Sequence, residues 1–294
     1  MLKILTQLTI VMKKSVIFTI TLFLLIFQSS NINAQDNFTT PYGNNKTVGK
    51  YVKVNGTKIY YEEYGTGEPL LIIHSCGTDI KAMEYQIDYF KNKYRVIVAD
   101  SRGQGKSKLK TKRLTYDLMT KDLEKLVKHL KLDAINILGW SDGGIIGLKM
   151  GIRNKVAINK IVTMGPNLRF DTTAVNDWAI QQVKDMHAET LKMLKKGDKS
   201  KNWKTELQLD KLLINYPGIS HTELNKIKAP VLIIIGDRDI IKNEHAVEIF
   251  DNIQKSQLCI IPGANHGIPR NSAKAFNEIA DKFLAEEFDY SIKN

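Results

Sequence analysis

The chain has 294 residues, 43% hydrophobic and 25% charged, an ordinary globular composition long enough for one large domain or two small ones. No internal repeat or low-complexity block is visible, which sets aside solenoid and disordered classes. The formal charge is +12, yet the lysines are scattered singly, as at Lys121, Lys125, Lys128 and Lys131, and that spacing reads as a solvated helix face, so no nucleic-acid partner is expected.

In chain order, Lys13-Lys14 precede an apolar run, Ser15 to Phe27, shorter than the roughly 20 residues of a membrane span. A polar, small-residue stretch from Gln28 to Ala34 follows. Residues 1–34 read as a signal peptide cleaved after Ala34, which predicts an exported protein, periplasmic or secreted, with no stable membrane insertion after cleavage. The partly apolar stretch Leu2 to Val11 leaves an uncleaved amino-terminal membrane anchor as the alternative. Cleavage removes Lys3, Lys13 and Lys14 and no acid. Cys76 and Cys259 allow one disulfide by count, but a domain of this size needs no staple, and two free thiols are expected.

Residues 35–49 are polar and aperiodic and read as a flexible leader. Tyr51 to Tyr64 alternates around Asn55-Gly56, a hairpin signal. Pro69–Ile73 is a continuous apolar strand ending at His74-Ser75-Cys76-Gly77. Residues 80–92 suit a helix, 94–99 a buried strand that runs into Asp100-Ser-Arg-Gly-Gln-Gly-Lys-Ser107, and the stretch from Thr115 to Leu130 an amphipathic helix. Gly103-x-Gly105 lacks a following Gly-Lys-Ser/Thr and reads as a strand-end turn. Ile135 to Leu138 forms the next strand, and Gly139-Trp140-Ser141-Asp142-Gly143 follows it directly into a helix. Residues 158–164 are a strand. The pattern then changes over 167–228 to helical segments broken at Gly197, an insertion rather than a strand–helix unit. A strand at 229–235 ends in Gly236-Asp-Arg-Asp239. A helix at 243–251, a strand at 258–261, the loop Pro262-Gly-Ala-Asn-His-Gly267 and a final helix at 271–287 complete the domain, with 288–294 as a tail.

Alternating buried strands and amphipathic helices predict an α/β fold with a mostly parallel sheet and helices on both faces. Function in such sheets sits at the carboxyl ends of strands, here at His74, Asp100, Ser141, Asp239 and His266. Strand, Gly-x-Ser-x-Gly and helix in succession place Ser141 on a sharp turn with its hydroxyl exposed. His266 is the candidate base, and a histidine must be neutral to act, so activity should fall in acid. Asp239 is preferred over Asp237 as its carboxylate partner, because it lies further past the strand end. The order Ser, Asp, His is the one expected for this elbow. The oxyanion is expected to meet two backbone N–H groups, those of Asp142 and Cys76. The Asp142 side chain lies near any pocket. It serves either to hold a substrate ammonium or only to cap the helix. Trp140, beside the nucleophile, and His74, in the first loop, join Asp142 as candidate substrate-binding residues. The remaining histidines show no metal-ligand spacing, and neither metal nor cofactor is expected.

These motifs, together with Asp100–Ser107, Gly236–Asp239 and Asn265-His-Gly267, resemble the α/β-hydrolase fold superfamily over about residues 50–287. Gly-Trp-Ser-Asp-Gly-Gly is most like the valacyclovir hydrolase (biphenyl hydrolase-like) branch. The resemblance implies an eight-stranded sheet, a helical lid inserted after the sixth strand at 167–228, and a cofactor-free acyl-enzyme mechanism. Most members carry His-Gly where this chain has His74-Ser75. A small carboxylic ester is the expected substrate, with Trp178, Met186, Trp203 and Tyr216 suggesting an apolar pocket under the lid. The same three residues would also serve a lactonase, a carbon–carbon hydrolase or a perhydrolase. A non-catalytic binding protein on this scaffold would be expected to have lost one of them. Nothing in the pattern points to a particular oligomeric state.

Overall fold

The computed structural model describes residues 38–289; the stretch read as a signal peptide lies outside them. Eight strands, β1 (Lys50–Val54), β2 (Thr57–Tyr64), β3 (Pro69–Ile73), β4 (Arg95–Ala99), β5 (Ala134–Trp140), β6 (Ala157–Met164), β7 (Val231–Gly236) and β8 (Ser256–Ile261), form one sheet in the order β1-β2-β4-β3-β5-β6-β7-β8. From β4 to β8 every pairing is parallel, while β2 runs antiparallel to both β1 and β4. The hairpin forms where the sequence predicts it. Asn55 (φ 38°) and Gly56 (φ 80°) are both left-handed, and Val54 pairs with Thr57 across a two-residue turn.

The helices are α1 (Glu84–Phe90), α2 (Tyr116–His129), α3 (Asp142–Arg153), α4 (Asp177–Lys196), α5 (Trp203–Ile214), α6 (His221–Leu224), α7 (Asn243–Asp251), α8 (Ile268–Asn271) and α9 (Ala273–Ala285). Pairs α2–α3 and α1–α9 pack on each other and on the sheet, so the central strands are buried on both faces. Leu70, Ile72, Val96, Val98, Ile137 and Ile233 are fully enclosed, which is why these strands read as unbroken apolar runs. Among the described residues no helix is long and apolar enough to cross a membrane.

Helices α4, α5 and α6 occupy the 167–228 insertion. Ile219 N–H donates to Leu168 O (2.8 Å) where the chain enters and leaves it. Arg169 forms two hydrogen bonds with Glu248 of α7 (2.7 and 2.8 Å), and His221 and His245 reach the same carboxylate. Trp178 and Met186 lie on the surface, 52% and 37% exposed, so they do not line the apolar pocket expected of them.

The flexible leader expected over residues 35–49 needs correction from Thr40 onward. Tyr42 is buried, and its hydroxyl donates to Asp88 (2.7 Å). The backbone N–H groups of Gly43 and Asn45 donate to the buried Glu62 carboxylate (2.8 and 3.0 Å), which also accepts from Tyr60 and Tyr64. The segment has no periodicity because a distant carboxylate, rather than a helix or strand ladder, satisfies its backbone.

Candidate active site

Three strand ends converge. β5 runs into α3 through Ser141, whose backbone sits at φ 54°, ψ −112°, a strained position of the kind that costs about 1–3 kcal/mol. Ser141 N–H donates to Met164 O (2.7 Å), which fastens the elbow to β6. The flanking glycines are required by close approach. A Cβ on Gly139 would lie 2.2 Å from Gly143 O, and one on Gly143 would lie 2.2 Å from Ile73 O.

Asp239 follows β7 in a tight turn. His266 follows β8 in a loop held by Trp140, whose indole N–H donates to His266 O (2.8 Å). His266 Nδ1–H donates to Asp239 Oδ1 (2.6 Å), and Ser141 Oγ–H donates to His266 Nε2 (2.9 Å). The tautomer follows from the partners: a carboxylate only accepts, so Nδ1 carries the proton and Nε2 keeps its lone pair. Asp239 Oδ1 also accepts from Ile241 N–H (3.0 Å), and its carbonyl accepts from Asn176 at the start of α4 (2.9 Å). Asp237 accepts instead from Gly263 N–H (2.7 Å), a backbone tether away from the histidine ring. Gly165 completes the seat: at φ 58°, a Cβ there would lie 2.8 Å from His266 Cε1.

The loop after β3 faces this group. Gly77 N–H is occupied by Gln104 Oε1 (2.6 Å). The N–H groups of Cys76 and Asp142 have no hydrogen-bond partner among the described residues, and that of Asp142 is free because it opens a helix. Ser141, which precedes α3, makes no side-chain cap, and the Asp142 carboxylate is turned to Tyr116. Its Oδ1 accepts from the Tyr116 hydroxyl (2.7 Å), and the Cys76 thiol lies against the same buried carboxylate. Burial pushes the Asp142 carboxyl up to about 6, against the opposing pull of Tyr116, the Cys76 thiol and His266. Burial and the neighbouring Asp142 carboxylate push the Cys76 thiol well above its ordinary range, so it stays protonated and is no second nucleophile.

Two expected substrate contacts have other duties. His74 is buried. Its Nε2 accepts from Ser101 N–H (2.9 Å), and Nδ1 donates to Ser75 O (2.8 Å). Both ring nitrogens are spent joining the loops after β3 and β4. Trp140 is 1% exposed and acts on the His266 loop rather than on a ligand. Asp100 is likewise structural, accepting from Ile80 N–H (3.0 Å) and Lys106 N–H (2.7 Å), with burial raising its carboxyl to about 6. Asn176, Gln104, Gly165 and Tyr116 were not legible as site residues, because each acts on a partner far away in sequence. Only Trp140, beside the serine, carried a local hint. Both cysteines are free. Among the described residues no group of three or more His, Cys, Asp or Glu side chains is arranged to hold a metal ion.

The α/β hydrolase fold family matches residues 68–203. The human serine hydrolase BPHL is 28% identical over 258 residues, covering 83% of this chain and 88% of that protein. The chain belongs to the α/β-hydrolase superfamily. Other relatives are named for different activities. A putative non-heme chloroperoxidase of Synechocystis is 28% identical over 260 residues, covering 77% of this chain and 94% of that protein. The crystal structure of a bromoperoxidase from Bacillus anthracis aligns with a TM-score of 0.68 at 26% identity, covering 81% of this chain and all of that one. This α/β-hydrolase is similar to the biphenyl hydrolase-like branch through the human BPHL protein and its mouse counterpart, 25% identical over 252 residues.

Proposed function

We propose that this hydrolase cleaves small carboxylic esters through an acyl-enzyme intermediate, and that the protein is exported. The observation that supports the chemistry is the continuous chain from Ser141 Oγ through His266 to Asp239, at 2.9 and 2.6 Å, on a strained elbow. His266 Nε2 takes the serine proton as Oγ attacks the ester carbonyl, and Asp239 steadies the imidazolium. The tetrahedral oxyanion is received by the free N–H groups of Cys76 and Asp142. The imidazolium then gives its proton to the departing alcohol, leaving Ser141 acylated. Water, deprotonated by His266, repeats the attack, releases the acid and restores the serine. The insertion helices α4–α6 serve as the cover that selects the substrate. No cofactor enters the scheme, and the protein's partner is the small ester itself.

Asp142 carries the finer reading, an ester bearing an ammonium group. Its carboxylate is buried close behind the serine, against Tyr116 and the Cys76 thiol. An ammonium group would compensate its charge.

The first test is hydrolysis of p-nitrophenyl acetate by the wild type beside Ser141→Ala. A burst followed by turnover is expected in the wild type, with turnover lower by about 10⁴-fold or more in the variant. Turnover retained in Ser141→Ala would overturn the reading. No turnover by the wild type on a panel of esters would move the search to lactones, carbon–carbon bonds or the peroxide chemistry for which the bromoperoxidase relative is named.

A further inference from the structure

The helical insertion hangs on two short connections, and both are fastened to the chain that follows β7. On the way in, residues 168–176 run beside residues 239–248. Lys242 N–H donates to Ala174 O and Asn176 N–H to Ile240 O (both 2.9 Å), and Val175 pairs with Ile241 in an antiparallel bridge. That length of chain begins at Asp239, whose carbonyl accepts from the Asn176 side chain. On the way out, Ile219 N–H donates to Leu168 O, and His221 opens α6 two residues later.

The two connections meet at Leu168. Its carbonyl is taken by the leaving one, and its N–H donates to Nε2 of the buried His245 (2.9 Å). A backbone N–H only donates, so Nε2 is bare and the ring proton is on Nδ1, which donates to Glu248 Oε2 (2.9 Å). The same carboxylate accepts from Arg169 of the entering connection (2.7 and 2.8 Å) and from His221 Nε2–H of the leaving one (2.6 Å). One carboxylate on α7 therefore grips both ends of the insertion. These bonds require a neutral His245. A proton on Nε2 sets N–H against N–H and leaves a buried backbone donor unpaired. The charged groups facing His245 are Glu248 on its own helix and Arg169 and Asp171 on the entering connection, while His221 shares Glu248. Burial outweighs the pull of Glu248 and holds His245 below its ordinary range. Arg169 beside Glu248 holds that carboxyl down at about 2, so it stays charged. A charged His221 only tightens on Glu248, so loosening comes from His245.

We propose that His245 and Glu248 are positioning residues for the cover, locking both of its ends on α7 while His245 is neutral and releasing them when it is protonated. This role needs α4–α6 to be the cover and is independent of the ester chemistry. The direction follows from linkage. Opening the connections exposes His245, which then takes a proton below about pH 6.5, the ordinary histidine value. Above that pH the ring is neutral in both forms and the lock is complete. Below it, each pH unit favours the open form by up to about tenfold, until the locked ring itself takes the proton.

The test is amide hydrogen exchange of the purified protein at pH 7.5 and pH 5.5, which needs no substrate. Protection factors are compared, so that the intrinsic pH dependence of exchange cancels. In the wild type, protection over residues 168–224 should fall about 3- to 10-fold at the lower pH, while β5, β6 and β7 hold within about twofold. His245→Gln keeps an acceptor for Leu168 N–H and cannot take a proton, so its protection over 168–224 should change by less than about twofold between the two pH values. His187 and Asp210, paired inside the insertion, titrate alike in both proteins and cancel in this comparison. Glu248→Gln should lower protection over 168–224 by about tenfold at both pH values. Thermal melts establish that each variant is folded, and the wild-type comparison stands without them. Wild-type protection over 168–224 that does not fall in acid, a fall of equal size in His245→Gln, or unchanged protection in folded Glu248→Gln would each overturn the proposal.

Discussion

Asp142 sits where stability and recognition conflict. Its carboxyl is raised to about 6 by burial, so the folded chain keeps this proton to a higher pH than the unfolded chain, which releases it near the ordinary aspartate value of about 4. The sign follows: this group's contribution favours the folded state at low pH and is lost as pH rises through about 6, leaving a buried charge that opposes folding. Asp142→Asn is therefore expected to stabilise the protein above pH 7, by about 2–3 kcal/mol at most, as read from urea unfolding at pH 5 and pH 8. The same substitution should abolish any preference for amino-esters over plain esters. In the wild type, KM for the amino-ester should rise as pH drops below about 6. An unchanged preference in the asparagine variant would remove the ammonium reading while leaving the serine chemistry untouched. Gly165 works by what it lacks. Gly165→Ala would press a methyl group against the His266 ring and strain a backbone at φ 58°. A fall in kcat of about 10- to 100-fold is expected from misplacing the base, measured on p-nitrophenyl acetate beside a circular dichroism check of folding.

At the scale of elements, the loop after β4 holds much of the site's surroundings together. Arg102 is fully buried and forms two hydrogen bonds with Asp122 of α2 (2.6 and 2.7 Å), and Asn55 of the hairpin turn donates to the same carboxylate (2.7 Å). Two residues on, Gln104 takes the Gly77 N–H, fixing which N–H groups of the first loop remain free. Removing one partner of a buried ion pair strands the other. Asp122→Ala should cost about 3–5 kcal/mol, measured by chemical denaturation, and should lower ester turnover by loosening the Gln104–Gly77 tie. This loop was legible as a strand-end turn, but its work was not, since Arg102 could have been read as a surface cation until α2 was packed beside it.

Across the whole molecule, the compact unit begins at Thr40, shortly after Ala34, the expected cleavage point. With the proposed export, the mature protein begins at Gln35. Amino-terminal sequencing of material recovered outside the cytoplasm checks this, and a mature chain that retains Met1 or Met12 on membranes would favour the anchored alternative. The sequence by itself determined the fold class, the hairpin at Asn55-Gly56, the strand ends and the serine elbow. Each of these is written in local pattern: a run of apolar residues, a turn dipeptide, two glycines spaced around a serine. It also singled out Asp239, the aspartate that hydrogen-bonds His266, because distance past a strand end is a local property. Tertiary structure alone decided that His74 and Trp140 brace loops, that residues 40–49 are tied to Glu62, and that Asp142 meets Tyr116. Those outcomes depend on which side chains meet across 17 to 126 positions of sequence, and a hydrogen bond of about 3 Å leaves no periodic trace along the chain.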